Sequence, residues 1–99
     1  MARKAPPLDD YVVETLMPDL VGHDRALSAF IVYVKLWHAA GGPGRPLAAS
    51  LSTLAVDTGL SKSSVQAALR QLRKRGFLNS KRAGPTAIPA HIVLAPWRR

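Results

Sequence analysis

Residues 50–76 combine two short amphipathic helix patterns with a single glycine between them, and this combination restricts the fold more than any other part of the chain. Ser50 is a candidate N-terminal cap for a helix over residues 51–58, and Ser61 for a longer helix over residues 61–75. Gly59 lies between the two helices, where a residue able to adopt a left-handed conformation permits a tight turn. The spacing therefore predicts two helices packed across a short turn.

Each of these helices has one apolar side at helical spacing. Ala55 is small enough to let the two helices approach closely. The residues expected to face inward are Leu51, Leu54 and Ala55 in the first helix and Val65, Ala68, Leu69 and Leu72 in the second.

After Gly76 the pattern changes to that of a β-hairpin. Residues 77–81 have strand character, residues 82–89 contain the glycine and prolines of a hairpin tip, and residues 91–94 return as a strand. A short extended segment is also expected at residues 46–49, ahead of the first capped helix. We refer to residues 77–94 as the wing.

The N-terminal half predicts two further helices. The first is expected over residues 10–17, with Asp9 as a cap and Pro18 as the residue that ends it. The second, over residues 23–40, is apolar on nearly all sides, as is usual for the buried centre of a small domain, and Phe30 and Trp37 are expected in its core. Glycine and proline at residues 41–44 predict the loop that ends it.

In this order, the elements resemble a winged helix domain over residues 23–94, preceded by one extra N-terminal helix. The stretch LSTLAVDTGLSKSSVQAALRQL, residues 51–72, resembles the helix-turn-helix of bacterial regulators. The GLS turn, the exit LRQLRKRGFL and the closing PW are similar to those of transcriptional regulators and of plasmid or phage replication proteins. The resemblance implies a mainly α fold with a small β-hairpin, in which a three-helix core carries a wing, and it implies binding of double-stranded DNA.

The length of 99 residues fits one domain. We expect a flexible arm at residues 1–8, one winged helix domain at residues 9–97 with its helix-turn-helix at 50–75 and its wing at 77–94, and a basic tail at residues 98–99. The formal net charge of +8 is divided unevenly: residues 1–57 hold five basic and six acidic residues, whereas residues 58–99 hold nine basic residues and no acid. Such a bias indicates a polyanionic partner, either nucleic acid or an anionic membrane surface.

The resemblance places the exposed side of the second capped helix in the DNA major groove. Gln66 has the donor and acceptor needed to pair with adenine, Arg70 can pair with guanine, and Ala67 can approach a thymine methyl group. The residues expected to read bases are Lys62, Ser63, Gln66, Ala67 and Arg70. Those expected to hold phosphates, through helix N-termini or positive charge, are Ser52, Thr53, Ser61, Arg73, Lys74, Lys81 and Arg82.

Several other functions are not indicated. The chain has no cysteine, and His23, His38 and His91 lack ligand spacing, so no metal site and no cofactor are expected. No carboxylate lies in the basic half to act as a general base, which argues against an enzyme. Its longest apolar run has six residues, so no membrane span is expected, and no small-molecule ligand is evident. We expect a cytoplasmic, nucleoid-associated protein.

Three functions remain open at this point. The first is a sequence-specific transcriptional regulator, acting as a homodimer through its N-terminal helices, because those helices carry more apolar side chains than one small core can cover. The second is the DNA-binding component of a plasmid or phage replication or partition system. The third is a winged helix used as a protein-interaction or RNA-binding module.

Overall fold

A computed structural model describes residues 7–98. Three α-helices, α1 (Leu27–Ala40), α2 (Leu51–Thr58) and α3 (Lys62–Lys74), pack around one core. Three short strands, β1 (Pro46–Ala48), β2 (Leu78–Lys81) and β3 (Ala90–Val93), form an antiparallel sheet in the order β1-β3-β2. The sequence of these elements is that of a winged helix, so the predicted fold class is confirmed.

The segment before α1 differs from the prediction. Two π-helical segments, Val12–Leu16 and Pro18–His23, follow one another without interruption by a loop, so the expectation that Pro18 ends the first helix is wrong. Pro18 is the first residue of the second segment, a position where the missing N–H costs little and the fixed φ is already helical.

Helix α1 begins four residues later than the predicted His23. Arg25 has a φ of +52°, outside the helical range, and this residue separates the π-helical segment from α1. Helix α1 ends at Ala40 as predicted, because Gly41 takes the left-handed conformation with a φ of +82°. Its side chains Val32, Leu36 and Trp37 are at most 1% exposed, which confirms that α1 is the buried centre of the domain.

The helix-turn-helix has the predicted caps. Ser50 Oγ accepts a hydrogen bond from the Thr53 amide at 3.1 Å, and Ser61 Oγ accepts one from the Ser64 amide at 3.1 Å. Gly59 adopts a φ of +79° at the end of α2. The four inward residues predicted for α3 are all buried, and they pack α3 against α1 and α2: Val65, Ala68, Leu69 and Leu72.

The wing is a hairpin as predicted, but β2 begins one residue later than expected and β3 lies one residue earlier than expected. Phe77 precedes β2 rather than belonging to it; its amide bonds the carbonyl of Leu72 at 2.9 Å and its ring is buried. The extended segment expected at residues 46–49 forms β1 over Pro46–Ala48, which pairs with β3 so that Leu47 lies opposite His91. This third strand ties the wing to the residues that lead into α2.

The two ends of the described chain meet at Trp97. Its ring stacks on Tyr11 at a centroid distance of 4.4 Å and lies parallel to Trp37 at 6.4 Å. The Trp97 indole and the Arg98 guanidinium both donate to the Asp9 carboxylate, at 2.8 Å and 2.6 to 2.7 Å. The Asp9 side chain therefore binds the C-terminal segment instead of capping a helix.

Most of the predicted N-terminal arm and Arg99 of the predicted tail lie outside the described residues, and the proposed domain boundaries stay predictions. Within the described part, the Pro7 carbonyl accepts a hydrogen bond from the Trp37 indole at 3.2 Å, and Leu8 packs against the core. Arg98 is held by Asp9, as described above.

Candidate nucleic-acid interface

One long side of α3 is turned to solvent. Its amphipathic pattern buries four apolar residues against the core, so the residues between them project outward. The five residues predicted to read bases are all exposed on this helix: Lys62, Ser63, Gln66, Ala67 and Arg70. The structure thus brings them together on one surface, which we call the α3 face.

A cleft of about 200 Å³ separates the α3 face from the wing. Gln66 and Arg73 of α3 line one side, and Lys81 at the end of β2 and Arg82 at the start of the wing tip line the other. These residues are at most 16 positions apart in sequence, but they meet only because β2 folds back beside α3. Three predicted phosphate-binding cations therefore border the same cleft.

The remaining predicted phosphate contacts lie at helix N-termini or at the far end of α3. Ser52 and Thr53 are exposed in the first turn of α2, and Lys74 is exposed in the last turn of α3. The hydroxyl of Ser61 already accepts the Ser64 amide as the α3 cap, so its local role is structural whatever else it binds.

A chain of hydrogen bonds crosses the floor of the cleft. Arg73 Nη1 donates to Ser80 Oγ at 3.3 Å, Ser80 Oγ lies 2.8 Å from His91 Nδ1, and His91 Nε2 lies 3.2 Å from the carbonyl oxygen of Ala49. His91 is only 3% exposed. Burial lowers the pKa of its imidazole, and the positive charges of Arg73 and Arg82 act in the same direction. Sequence spacing among the three histidines could not reveal this site.

Arg75 is turned away from the α3 face. Its guanidinium donates to Asp19 at 2.6 Å and to Asp24, and Gln71 donates to Asp24 at 2.9 Å. The hydrogen bonds to Asp19 and Asp24 raise the pKa of Arg75. The pKa of Asp24 is lowered, by the hydrogen bond from the neighbouring His23 first and then by those from Gln71 and Arg75. These contacts hold the end of α3 against the N-terminal π-helical segment.

Asp19, His23 and Asp24 also bring three possible metal-ligand atoms within 4.8 Å of one another. Both carboxylates accept hydrogen bonds from Arg75, and His23 is 83% exposed. The Arg75 guanidinium thus occupies the position that a metal ion would need between the two carboxylates. The cluster is an ion-pair network.

The ion pairs divide the nine basic residues that follow Asp57. Arg75 and Arg98 are paired with carboxylates, and Arg99 is outside the described residues. The other six are exposed, and in the part of the chain that the structure describes they form no ion pair: Lys62, Arg70, Arg73, Lys74, Lys81 and Arg82. We call these six residues the cationic surface. All six belong to α3, β2 or the start of the wing tip.

Within residues 7–98, none of the helices is both long enough and apolar enough to cross a lipid bilayer.

The family comparison covers the part of the fold that carries this surface. A family model described as a helix-turn-helix domain matches residues 27–78, from the first residue of α1 to the first residue of β2. No curated protein and no solved structure matches the chain. Because the matched residues make up more than half of the chain and include α2, the turn at Gly59 and α3, the protein belongs to the helix-turn-helix domain family, and this membership indicates DNA binding.

Proposed function

We propose that the protein is a sequence-specific binder of double-stranded DNA and acts as a transcriptional regulator, with α3 in the major groove and the wing on the DNA backbone. The observation that carries this proposal is the position of the α3 face beside the cationic surface. A helix that presents polar side chains between flanking positive charges has the width and the chemistry that the major groove accepts.

Base reading is assigned to the middle of the α3 face. Gln66 and Arg70 lie one helical turn apart and are both exposed. Within the described residues, Arg70 forms no ion pair and no side-chain hydrogen bond, so its guanidinium is free to make a two-pronged contact with guanine. Ala67, between them, leaves room for a base edge to approach the helix.

Backbone binding is assigned to the two sides of that surface. Arg73, Lys81 and Arg82 border the cleft, and phosphate groups attract such residues irrespective of the base sequence. Ser52 and Thr53 lie at the N-terminus of α2, where helix amides attract an anion. These contacts would fix the register of α3 without reading the sequence.

The test compares one residue from each class. A preferred site is first selected from a random duplex library. Arg70→Ala should then weaken binding to that site by about 1 to 3 kcal/mol but weaken binding to random duplex much less, because a two-pronged guanine contact forms only at the correct base. Lys81→Ala should weaken binding to both duplexes by a similar factor. Equal losses on both duplexes for Arg70→Ala would contradict the assignment of α3 as the base-reading helix.

Two other functions use the same fold. The first is the DNA-binding component of a plasmid or phage replication or partition system. In that case the selected DNA site should recur as repeats at a replication origin and not near a promoter. An RNA-binding or protein-interaction module would instead fail to retain duplex DNA over single-stranded RNA in a competition experiment. We favour the regulator because the base-reading chemistry of Gln66 and Arg70 suits duplex DNA.

We further propose that the protein acts as a homodimer through its N-terminal helical segments, in the bacterial cytoplasm at the nucleoid. Many apolar side chains of the N-terminal helical segments and α1 are buried in the core. Four large ones stay at least 37% exposed: Tyr11, Val13, Met17 and Leu27. A dimer would also double the number of bases read. Light scattering at high micromolar concentration, with and without DNA, should give the mass of two chains; the mass of one chain in both conditions would contradict a dimer.

A further inference from the structure

The hydrogen-bond chain below the cleft has one consistent direction when His91 is neutral. The carbonyl of Ala49 can only accept, so His91 Nε2 must carry a proton. In a neutral imidazole Nδ1 is then an acceptor, and the hydroxyl of Ser80 must donate to it. The Ser80 oxygen is left to accept from Arg73 Nη1, as the geometry shows. The bond from the Ser80 hydroxyl to Nδ1 therefore depends on His91 being neutral.

This chain joins the three elements that form the proposed interface. Arg73 belongs to α3, Ser80 to β2 and His91 to β3, while Ala49 immediately precedes the cap of α2. Ser80 and His91 are direct partners in the register of the wing. Because His91 is 3% exposed, an unpaired polar atom there would be costly, and the chain satisfies both ring nitrogens.

The charges that face His91 all oppose a proton on its ring. They are Arg73 from α3 and Arg82 from the wing tip, and among the described residues no carboxylate lines the cleft. On the side of β1 and α2, the residues that approach it are Ala49 and Leu51, which carry no charge. Protonation would give Nδ1 a hydrogen, so Ser80 could no longer donate to it. The charged ring would then donate to the same Ser80 oxygen that accepts from Arg73, and its positive charge would repel the guanidinium and weaken that contact.

We propose that His91 and Ser80 are positioning residues for DNA binding: the chain Arg73–Ser80–His91–Ala49 holds the Arg73 guanidinium at the cleft and fixes the wing relative to α3. This inference rests on the proposed function, because it assigns Arg73 to a phosphate beside the wing. Ser80 and His91 act through Arg73 and touch no nucleotide themselves.

A double-mutant cycle on Arg73 and Ser80 tests the link between them. With random duplex, Arg73→Ala should raise the Kd about tenfold, which is the loss of affinity expected of one charge-assisted contact. Ser80→Ala alone should raise the Kd about threefold. In the Arg73→Ala background, Ser80→Ala should change the Kd by less than about 1.5-fold, because the group that Ser80 positions is absent. Ser80→Thr, which keeps the hydroxyl, should restore binding to within about twofold of the unmodified protein.

The neighbouring strand residue provides a matched control. Asn79 is exposed, and its side chain points to the opposite side of the sheet from Ser80 because side chains alternate along a strand. Asn79→Ala should leave the Kd within about 1.5-fold of the unmodified protein. Thermal melts of all variants establish that the fold is retained, and the cycle compares folded proteins only.

The pH dependence separates positioning from a structural role. The ratio of the Kd of Ser80→Ala to that of the unmodified protein should be about three above pH 6.5 and should fall towards one as the pH is lowered through the titration of His91, followed by NMR. His23 and His38 are present in both proteins, so any effect they have on binding cancels in the ratio. A serine with only a structural role would give a ratio that does not change when His91 gains a proton.

The outcomes distinguish this inference from the proposed function. If the unmodified protein does not retain duplex DNA, both are overturned. If it binds DNA but the Arg73 and Ser80 effects multiply, or the ratio stays constant while His91 titrates, the positioning role is overturned and the proposed function stands. Coupled effects, rescue by Ser80→Thr and a ratio that falls with pH together support the positioning role.

Discussion

The division of the basic residues into paired and unpaired groups predicts which substitutions alter the salt dependence of DNA binding. Replacing Arg82 by alanine removes one residue of the cationic surface, whereas replacing Arg75 by alanine removes the same formal charge from a residue already paired with Asp19 and Asp24. Only the first change should alter the number of ions that DNA releases when the protein binds.

The expected magnitudes follow from the number of unpaired cations. If all six residues of the cationic surface contact phosphate, the slope of log affinity against log salt should be about −5, since each contact contributes roughly −0.9. Arg82→Ala should make the slope shallower by about 0.9. Arg75→Ala should leave the slope almost unchanged, although it leaves two carboxylates unpaired and can lower the affinity at every salt concentration by repulsion.

Fluorescence anisotropy with a labelled duplex of random sequence measures these slopes, with the salt varied over roughly 50 to 300 mM. Thermal melts of each variant in the same buffers ensure that folded protein is compared. The division of charges would be wrong if Arg75→Ala reduced the slope as much as Arg82→Ala. A slope near zero for the unmodified protein would contradict DNA binding itself.

Three further predictions concern stability. Because the pKa of Asp24 is lowered in the folded chain, its stabilising contribution is present above pH 3.8 and is lost as the pH falls through the folded pKa. Asp24→Asn should therefore lower the free energy of unfolding at pH 7 and make that free energy fall less steeply at acid pH. Urea titration across pH 2 to 7 measures both effects. Gly59→Ala should lower the free energy of unfolding by about 1 to 2 kcal/mol, because alanine is strained at a φ of +79° even though its Cβ meets no neighbouring atom. An unchanged midpoint of chemical denaturation would refute this. Trp97→Ala should cost about 2 to 4 kcal/mol, more than Tyr11→Ala, because Trp97 stacks between two rings and also donates to Asp9; equal costs would argue against this.

Local sequence patterns were sufficient to predict the helix-turn-helix. The caps at Ser50 and Ser61, the glycine at residue 59 and the apolar side of α3 each involve residues at most four positions apart, and their physical preferences do not depend on the rest of the fold. The same periodicity placed Gln66 and Arg70 on the exposed side of α3. Their roles in base reading stay predictions.

The N-terminal boundaries were less predictable because two local signals competed with packing. Proline at residue 18 usually ends a helix, yet it is accommodated as the first residue of a new helical segment that buries Leu20. His23 continues an apolar pattern into α1, but the positive φ of Arg25 interrupts it. Burial of the segment against α1 outweighs these local preferences.

Only the tertiary structure decided which charges are free and which polar groups act together. Arg75 is 51 residues from Asp24 and Arg98 is 89 residues from Asp9, so no local pattern distinguishes them from Lys81 or Arg82. The pairing of His91 with Ala49 likewise depends on β1 lying beside β3. Periodicity and capping are properties of neighbours in the chain, whereas ion pairs and buried hydrogen bonds depend on which distant residues the core brings within about 3 Å.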